Sequence, residues 1–210
     1  MFSGLSGTDL IIVVISIFIS MSIHEAMHAF TAHWLSDTTA RDMGRLTLNP
    51  LKHIDLFTTI LLPVGLILLG LPPIFAAKPV PFNPARVKYE EYGAALVGIA
   101  GPLTNFVLAA IVALVVRFAG STIISHGLLN MFVLFIEINL AFFVFNMIPF
   151  PPLDGSRLLY AFAPKPLQEV MYRIEAMGFW PFLVILVVLA PVIGPFLISI
   201  NTHLFQFLVG

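Results

Sequence analysis

The chain has 210 residues, of which 59% are hydrophobic and only 10% charged, with a mean hydropathy of +1.01. No water-soluble domain of this length needs so much apolar surface, so the composition excludes a soluble enzyme and points to a polytopic helical membrane protein. A net charge of −1 gives no argument for nucleic acid, no such partner is expected, and the absence of Cys removes disulfides and thiolate metal ligands.

Met1 to Asp9 reads as a short polar lead. Leu10 to Trp34 is the first expected span: 25 residues, or about 37 Å of helix against roughly 30 Å of hydrocarbon. It is too long for a signal-peptide core and lacks a basic start, so it is expected to be retained. Leu35 to Asp55 is a polar connection with Arg41, Arg45 and Lys52. Leu56 to Phe75 is apolar but interrupted by Pro63, Gly65, Gly70, Pro72 and Pro73. Ala76 to Tyr92 carries Lys78, Arg86 and Lys88, and its prolines at 79, 81 and 84 favour extended backbone. Gly93 to Phe118 is the second clean span, with small residues at Ala94, Gly98 and Gly101 that let a neighbouring helix approach. Leu128 to Ile148 is the third, stopped by Pro149, Pro151 and Pro152. Ser156 to Met177 reads as one amphipathic interfacial segment. Phe179 to Ile200 is the last span, with bends expected at Pro191 and Pro195. The expected fold is an all-α polytopic membrane protein. One domain over residues 1–210 forms a bundle of about four full spans, a re-entrant or interfacial segment at 56–75, and short extended segments near the active site.

Basic residues orient the bundle. If 56–75 does not cross, the connections 35–92 and 149–178 share one side and hold nine of the ten Lys and Arg, leaving only Arg117 opposite. A crossing there would split them three against six. The asymmetric arrangement predicts a multi-pass protein of the cell membrane with its active site nearer the cytoplasm.

The first span contains His24-Glu25-Ala26-Met27-His28, and these two histidines and Glu25 are its only ionisable side chains from Leu10 to His28. Residues four apart on a helix are 40° apart after one turn, so both imidazoles face one way. Glu25 lies about 100° round from His24, placed to hold a water that a shared metal would polarise. Two neutral imidazoles and a carboxylate base are the zinc-hydrolase arrangement. A charge at a membrane helix centre costs roughly 2.5–3.5 kcal/mol on insertion scales, which marks these residues as functional.

A catalytic zinc usually takes three protein ligands and leaves a fourth position for water. His33 points about 140° away from His28 on the same helix. Glu137, the other acid in a span, sits on the face of its helix opposite Asn146 and reads as a packing residue. Asp154 is the better third ligand, because it follows the proline-broken end of the third span, and non-helical backbone at membrane depth belongs beside a polar cavity. Its alternative reading is an N-cap for the helix starting near Ser156.

Together these features resemble the site-2 protease family of intramembrane zinc metalloproteases. That family pairs H-E-x-x-H on one span with N-x-x-P-x-x-P-x-D-G after a later one, and this chain has Asn146, Pro149, Pro152, Asp154 and Gly155 at the matching positions. Gly98-Ile99-Ala100-Gly101-Pro102 is similar to the family's G-x-x-G-P segment, and Gly44–Pro50 and Ala77–Pro84 resemble the bacterial and archaeal branch without appended domains. The resemblance covers about Ile12 to Leu158. It implies one Zn2+ per chain on His24, His28 and Asp154, Glu25 as the base, and Asn146 positioning substrate or the oxyanion. Met27 and Ser156 depart from the family's usual small residue and second glycine. Asn105 reads as an interhelical hydrogen bond rather than a catalytic group.

The expected partners are the lipid bilayer and a membrane-protein substrate with a transmembrane helix; the sequence leaves the oligomeric state open. Two other readings compete: a divalent-metal transporter, which needs no base at Glu25, and an inactive scaffold of the same fold, which needs no metal set.

Overall fold

In the computed structural model, residues 6–68 and 78–210 are described. Among them, four helices are long and apolar enough to cross a bilayer: α1 (Gly7–Trp34), most of α4 (Glu90–Ile123), α5 (His126–Asn146) and most of α8 (Phe179–Val209). The shorter α2 (Thr39–Asp42), α3 (Leu62–Leu68), α6 (Gly155–Phe162) and α7 (Lys165–Ala176) lie in the connections, and the described residues contain no strand.

The ends of these helices sort to two sides. Ser6 caps α1 in a reciprocal box with Asp9, and Asp9 Oδ1 accepts from Asn130 Nδ2 near the start of α5 at 2.6 Å. At the opposite end, Lys88 N–H donates to the Leu35 carbonyl at 2.8 Å. The Tyr172 hydroxyl donates to Glu91, and the Tyr92 and Phe162 rings meet at 5.8 Å. The connections 35–92 and 149–178 therefore touch one another at a single end, as the basic residues predict.

Buried residues of α1 recur at Val13, Ser16, Ile17, Ser20, Met21, His24, His28 and Ala32, a stripe with helical spacing turned into the bundle. Val13, Ile17 and Met21 pack on Leu134, Ile138 and Phe142 of α5. On α4, a methyl group added at Gly98 would stand 2.7 Å from Arg157 Cβ and 2.9 Å from the Asp154 carbonyl. That glycine is what lets α6 approach α4. Ala109 and Ala113 of α4 bury Ile136 and Leu140 of α5, with Leu204, Phe205 and Leu208 of α8 over them.

Three boundaries differ from expectation. The 156–177 segment is two helices, because Ala163 before Pro164 is extended and the Pro164 carbonyl restarts the helix by accepting from Leu167 and Gln168. The last helix runs to Val209 rather than Ile200. Its polar end, Asn201-Thr202-His203, stays helical because Thr202 Oγ1 and His203 Nδ1 satisfy themselves on the Ile198 and Ser199 carbonyls. Segment 56–75 starts as a wide turn at Leu56–Leu61, capped by Asp55, and continues as α3. Leu62 and Leu66 pack on Leu183 near the start of α8. Residues 69–75, with Gly70, Pro72 and Pro73, lie outside the described residues.

The turn after α1 is held by a buried carboxylate. Asp37 accepts from Thr39 N–H and Oγ1 through Oδ1, and from Asn83 N–H through Oδ2 at 2.6 Å, tying the first connection to the extended stretch before α4. Burial alone would raise its pKa, but these hydrogen bonds outweigh it and hold the group below the ordinary value. A lowered folded-state pKa gives stability that is complete above about pH 4 and fades as pH falls through the folded value. Asp37→Asn should therefore cost about 2 kcal/mol at pH 7, seen as a lower thermal midpoint in detergent, and this gap should close below pH 4. A gap unchanged by pH would show that the charge does not hold the turn.

Candidate metal centre

His24 and His28 come from successive turns of α1, and Asp154 comes from the segment between α5 and α6. The structure brings their donor atoms together. His24 Nε2 lies 3.0 Å from His28 Nε2 and 3.0 Å from Asp154 Oδ2, and the His28 Nε2 to Asp154 Oδ2 separation is 3.4 Å. Bond lengths of about 2.0–2.1 Å in a tetrahedral zinc site place neighbouring donor atoms roughly 3.3 Å apart. Among the described residues this is the one group of three such side chains that converges on a common point.

The far sides of both rings set their tautomers. His28 Nδ1 faces the Val97 carbonyl at 2.7 Å, and a carbonyl can only accept, so this nitrogen carries the proton. His24 Nδ1 faces Asn105 Oδ1 at 2.5 Å and donates to it. With both rings neutral, as metal binding requires, the Nε2 atoms present lone pairs to each other and to a carboxylate oxygen, three acceptors with no donor among them. Such a set needs a cation between its members, and ring N–H groups fixed on a carbonyl and an amide are the usual support of metal-binding histidines.

α4 supplies the floor. A methyl group added at Gly101 would stand 2.6 Å from His24 Nε2 and closer still to His28 Nε2. Pro102 has no N–H for the Gly98 carbonyl, which loosens the helix there. Gly101 leaves room for two imidazoles against bare backbone. The space in front of the donor atoms is thus one that a single carbon would fill. The donor chemistry, the spacings and this space all fit zinc.

Asp154 stands at the N-cap position of α6, yet its side chain makes no capping hydrogen bond. The carboxylate turns to the histidines instead, so the capping reading has no hydrogen bond behind it. It is a quarter exposed while the histidines are nearly buried, so the cluster opens toward its side. Gly155 is required beside it: a methyl group there would stand 2.5 Å from the Met147 carbonyl.

Glu25, adjacent to the histidines on α1, accepts from Val80 N–H at 2.8 Å through Oε2. Val80 stands between Pro79 and Pro81, neither of which has an N–H to offer. The neighbouring donors are engaged as well, Lys78 N–H on the His53 carbonyl and Asn83 N–H on Asp37. Asn146 Nδ2 donates to the Phe142 carbonyl of its own helix at 3.0 Å, so no contact described in the structure joins it to the three donors. Glu137 is half-buried on α5 and is not part of the cluster.

Sequence reasoning missed two of these partners. The link from Glu25 to Val80 spans 55 positions; its only local signal is that Val80 alone keeps an N–H within Pro79-Val80-Pro81. Asn139, in an apolar helix and fully buried, joins Asn105 to α5 at 2.9 Å. The interhelical hydrogen bond expected for Asn105 is present, and Asn105 also holds His24 at Nδ1, the ring nitrogen turned away from His28 and Asp154.

Residues 115–189 match the sequence pattern of peptidase family M50. A Bacillus subtilis protein named as a candidate zinc metalloprotease, YwhC, is 38% identical over 180 residues, 83% of this chain and 79% of its own length. A Mycolicibacterium smegmatis protein named as a candidate zinc metalloprotease, Rip2, is 30% identical over 85% of this chain and 66% of its own. No solved structure matches the chain. With a relative this similar along most of both lengths, a converged His24, His28 and Asp154, and four helices long and apolar enough to cross a membrane, the chain belongs to peptidase family M50, the site-2 proteases, and is a zinc-dependent intramembrane protease.

Proposed function

We propose that residues 1–210 act as one membrane-embedded domain that holds a zinc ion on His24, His28 and Asp154 and uses Glu25 as general base. Its reaction is hydrolysis of peptide bonds within or beside the transmembrane segments of other membrane proteins. The observation that carries the assignment is the convergence of the two Nε2 atoms and the Asp154 carboxylate within 3.4 Å of one another, with both Nδ1 atoms engaged on the far side, a ligand set that a zinc ion satisfies. Bound zinc supplies Lewis acidity toward water and the scissile carbonyl. Glu25, anchored through Oε2 on Val80, keeps Oε1 for the water proton and returns that proton to the leaving amine. Asn146 is assigned to positioning the substrate or the oxyanion through the second N–H of its amide, the first being held on the Phe142 carbonyl. The transporter and scaffold readings are not favoured, since both relatives are named as proteases.

A helical substrate hides its carbonyls in hydrogen bonds and must unwind before it reaches Glu25. The extended stretch 78–83 has committed its Lys78, Val80 and Asn83 N–H groups to its own protein. With the Lys78 and Asn83 carbonyls taken by Arg45 and Arg86, it holds a substrate strand chiefly through the carbonyls of residues 79–82, which accept the strand's N–H groups. Substrate spans should contain helix-weakening residues near the cut, and replacing these with Leu should slow cleavage several-fold. Equal rates for both would show that unwinding does not limit and that juxtamembrane loops are accepted.

The site is assigned to the cytoplasmic half of the membrane, on the basic asymmetry of the connections. The chain has no Cys, so single cysteines report sidedness cleanly. Those at Ser36, Ala85 and Lys165 should react with a membrane-impermeant thiol reagent from the cytoplasmic side only, and one at Ser121 from outside. External labelling of Ala85→Cys would require a crossing at 56–75. The activity itself is tested by comparing membrane peptides from cells carrying the wild-type protein and Glu25→Gln. Fragments ending within spans should be present only with the wild type, and identical peptides in both would refute the assignment.

A further inference from the structure

The side-chain amides of α4 and α5 form a polar chain with one possible direction. At its far end the Phe135 carbonyl can only accept, so the Asn139 atom 2.9 Å away is Nδ2. Asn139 Oδ1 then faces Asn105, and the atom meeting it at 2.9 Å is Asn105 Nδ2. The Ser20 carbonyl, 3.4 Å from the same nitrogen, fixes the same orientation independently. Asn105 Oδ1 is left to face His24 Nδ1, which must donate. Both asparagines are fully buried, so no water competes for these positions. An asparagine turned the other way would offer His24 an N–H, favour the proton on Nε2, and remove the lone pair that zinc needs.

We infer that Asn139 and Asn105 are positioning residues: the carbonyls of α5 and α1 dictate, through two amides, that His24 presents an unprotonated Nε2 to the metal. Asn139 acts without touching His24, across three helices. The inference rests on His24 being a zinc ligand, and it predicts which replacements are tolerated. The requirement at each amide is for an oxygen that accepts from the next group. A buried aspartic acid in its protonated form supplies that oxygen at either position and keeps an O–H for the acceptor beyond it, whereas leucine has about the same bulk and neither group.

The test measures zinc affinity by chelator competition on the purified full chain, with thermal midpoints recorded for each variant. Asn105→Leu should weaken zinc binding 10–100-fold, the range found when the partner of a metal-binding histidine is removed, and Asn139→Leu about tenfold. Asn105→Asp and Asn139→Asp should stay within about threefold of wild type. If the amides only packed the helices, leucine would bind zinc as wild type does, or aspartate, a buried charge, would do at least as much damage as leucine. Either result overturns the inference. Should the leucine variants not fold, the aspartate variants decide: near-wild-type affinity supports the acceptor requirement, and a tenfold loss refutes it. His24→Ala is measured alongside. Zinc retained there refutes the ligand assignment and the relay with it, whereas zinc lost in His24→Ala but kept in folded Asn105→Leu refutes the relay alone.

Discussion

Glu25→Gln should keep its zinc and lose turnover by about 10²–10⁴-fold, the usual contribution of a general base. Glutamine has the shape of glutamate and its carbonyl oxygen still accepts from Val80 N–H, so α1 and the extended stretch should remain docked. What disappears is a group that takes a proton from water. The hydrogen bond at Oε2 also makes a graded prediction. Val80→Pro removes the N–H, and with it part of the side chain packed on Ala29, Ala40 and Leu46, and should lower turnover about tenfold, the value of one charge-assisted hydrogen bond. Val80→Ala loses the same packing, at a cost in stability, but keeps the N–H and should hold turnover of the folded protein near wild type. Residual turnover near wild type in Glu25→Gln, assayed on a purified membrane substrate, would remove Glu25 from the chemistry. Equal effects of Val80→Pro and Val80→Ala would show that the N–H does not position it.

The second large effect is expected at a residue with no functional group. Gly101→Ala adds one carbon that would stand 2.6 Å from His24 Nε2, and the neighbouring helix cannot back away because Asn105, one turn on, is tied to α1 and α5. The rings must turn out of the space they share with the metal. Zinc affinity should fall at least tenfold. Helix propensity acts in the opposite direction, since alanine is about 1 kcal/mol better than glycine in a helix interior. That gain is offset by the ring hydrogen bonds to Asn105 and Val97 that turning would strain, so stability of the empty protein should change far less than metal binding does. If Gly101→Ala retained wild-type zinc affinity, the metal could not lie in the space in front of these histidines.

Much of this centre is legible in the chain because it follows from short-range geometry. His24 and His28 share a face at any i, i+4 spacing in a helix, and Glu25 follows automatically. Asp154 is legible because prolines at 149, 151 and 152 forbid helix where a span should end. Gly98 and Gly101 announce close approach, although only the fold says that one admits α6 and the other the imidazoles. The features that escape are contacts between distant segments whose local signal is weak. Asp37 reaches Asn83 across 46 positions and Glu25 reaches Val80 across 55, and neither is foreshadowed by a motif. The end of α8 escaped for a different reason: Asn201, Thr202 and His203 look like a boundary by polarity, while their side chains fold back onto the helix that carries them.

The central claim is that His24, His28 and Asp154 together hold the metal, and elemental analysis of the purified protein tests it most directly. Wild type should carry about one zinc per chain. Asp154→Ala should carry far less after the same purification, because removing the carboxylate leaves two imidazoles and an N-cap that the structure does not use as one. Full zinc occupancy in Asp154→Ala would contradict the account, placing the third ligand elsewhere in the chain.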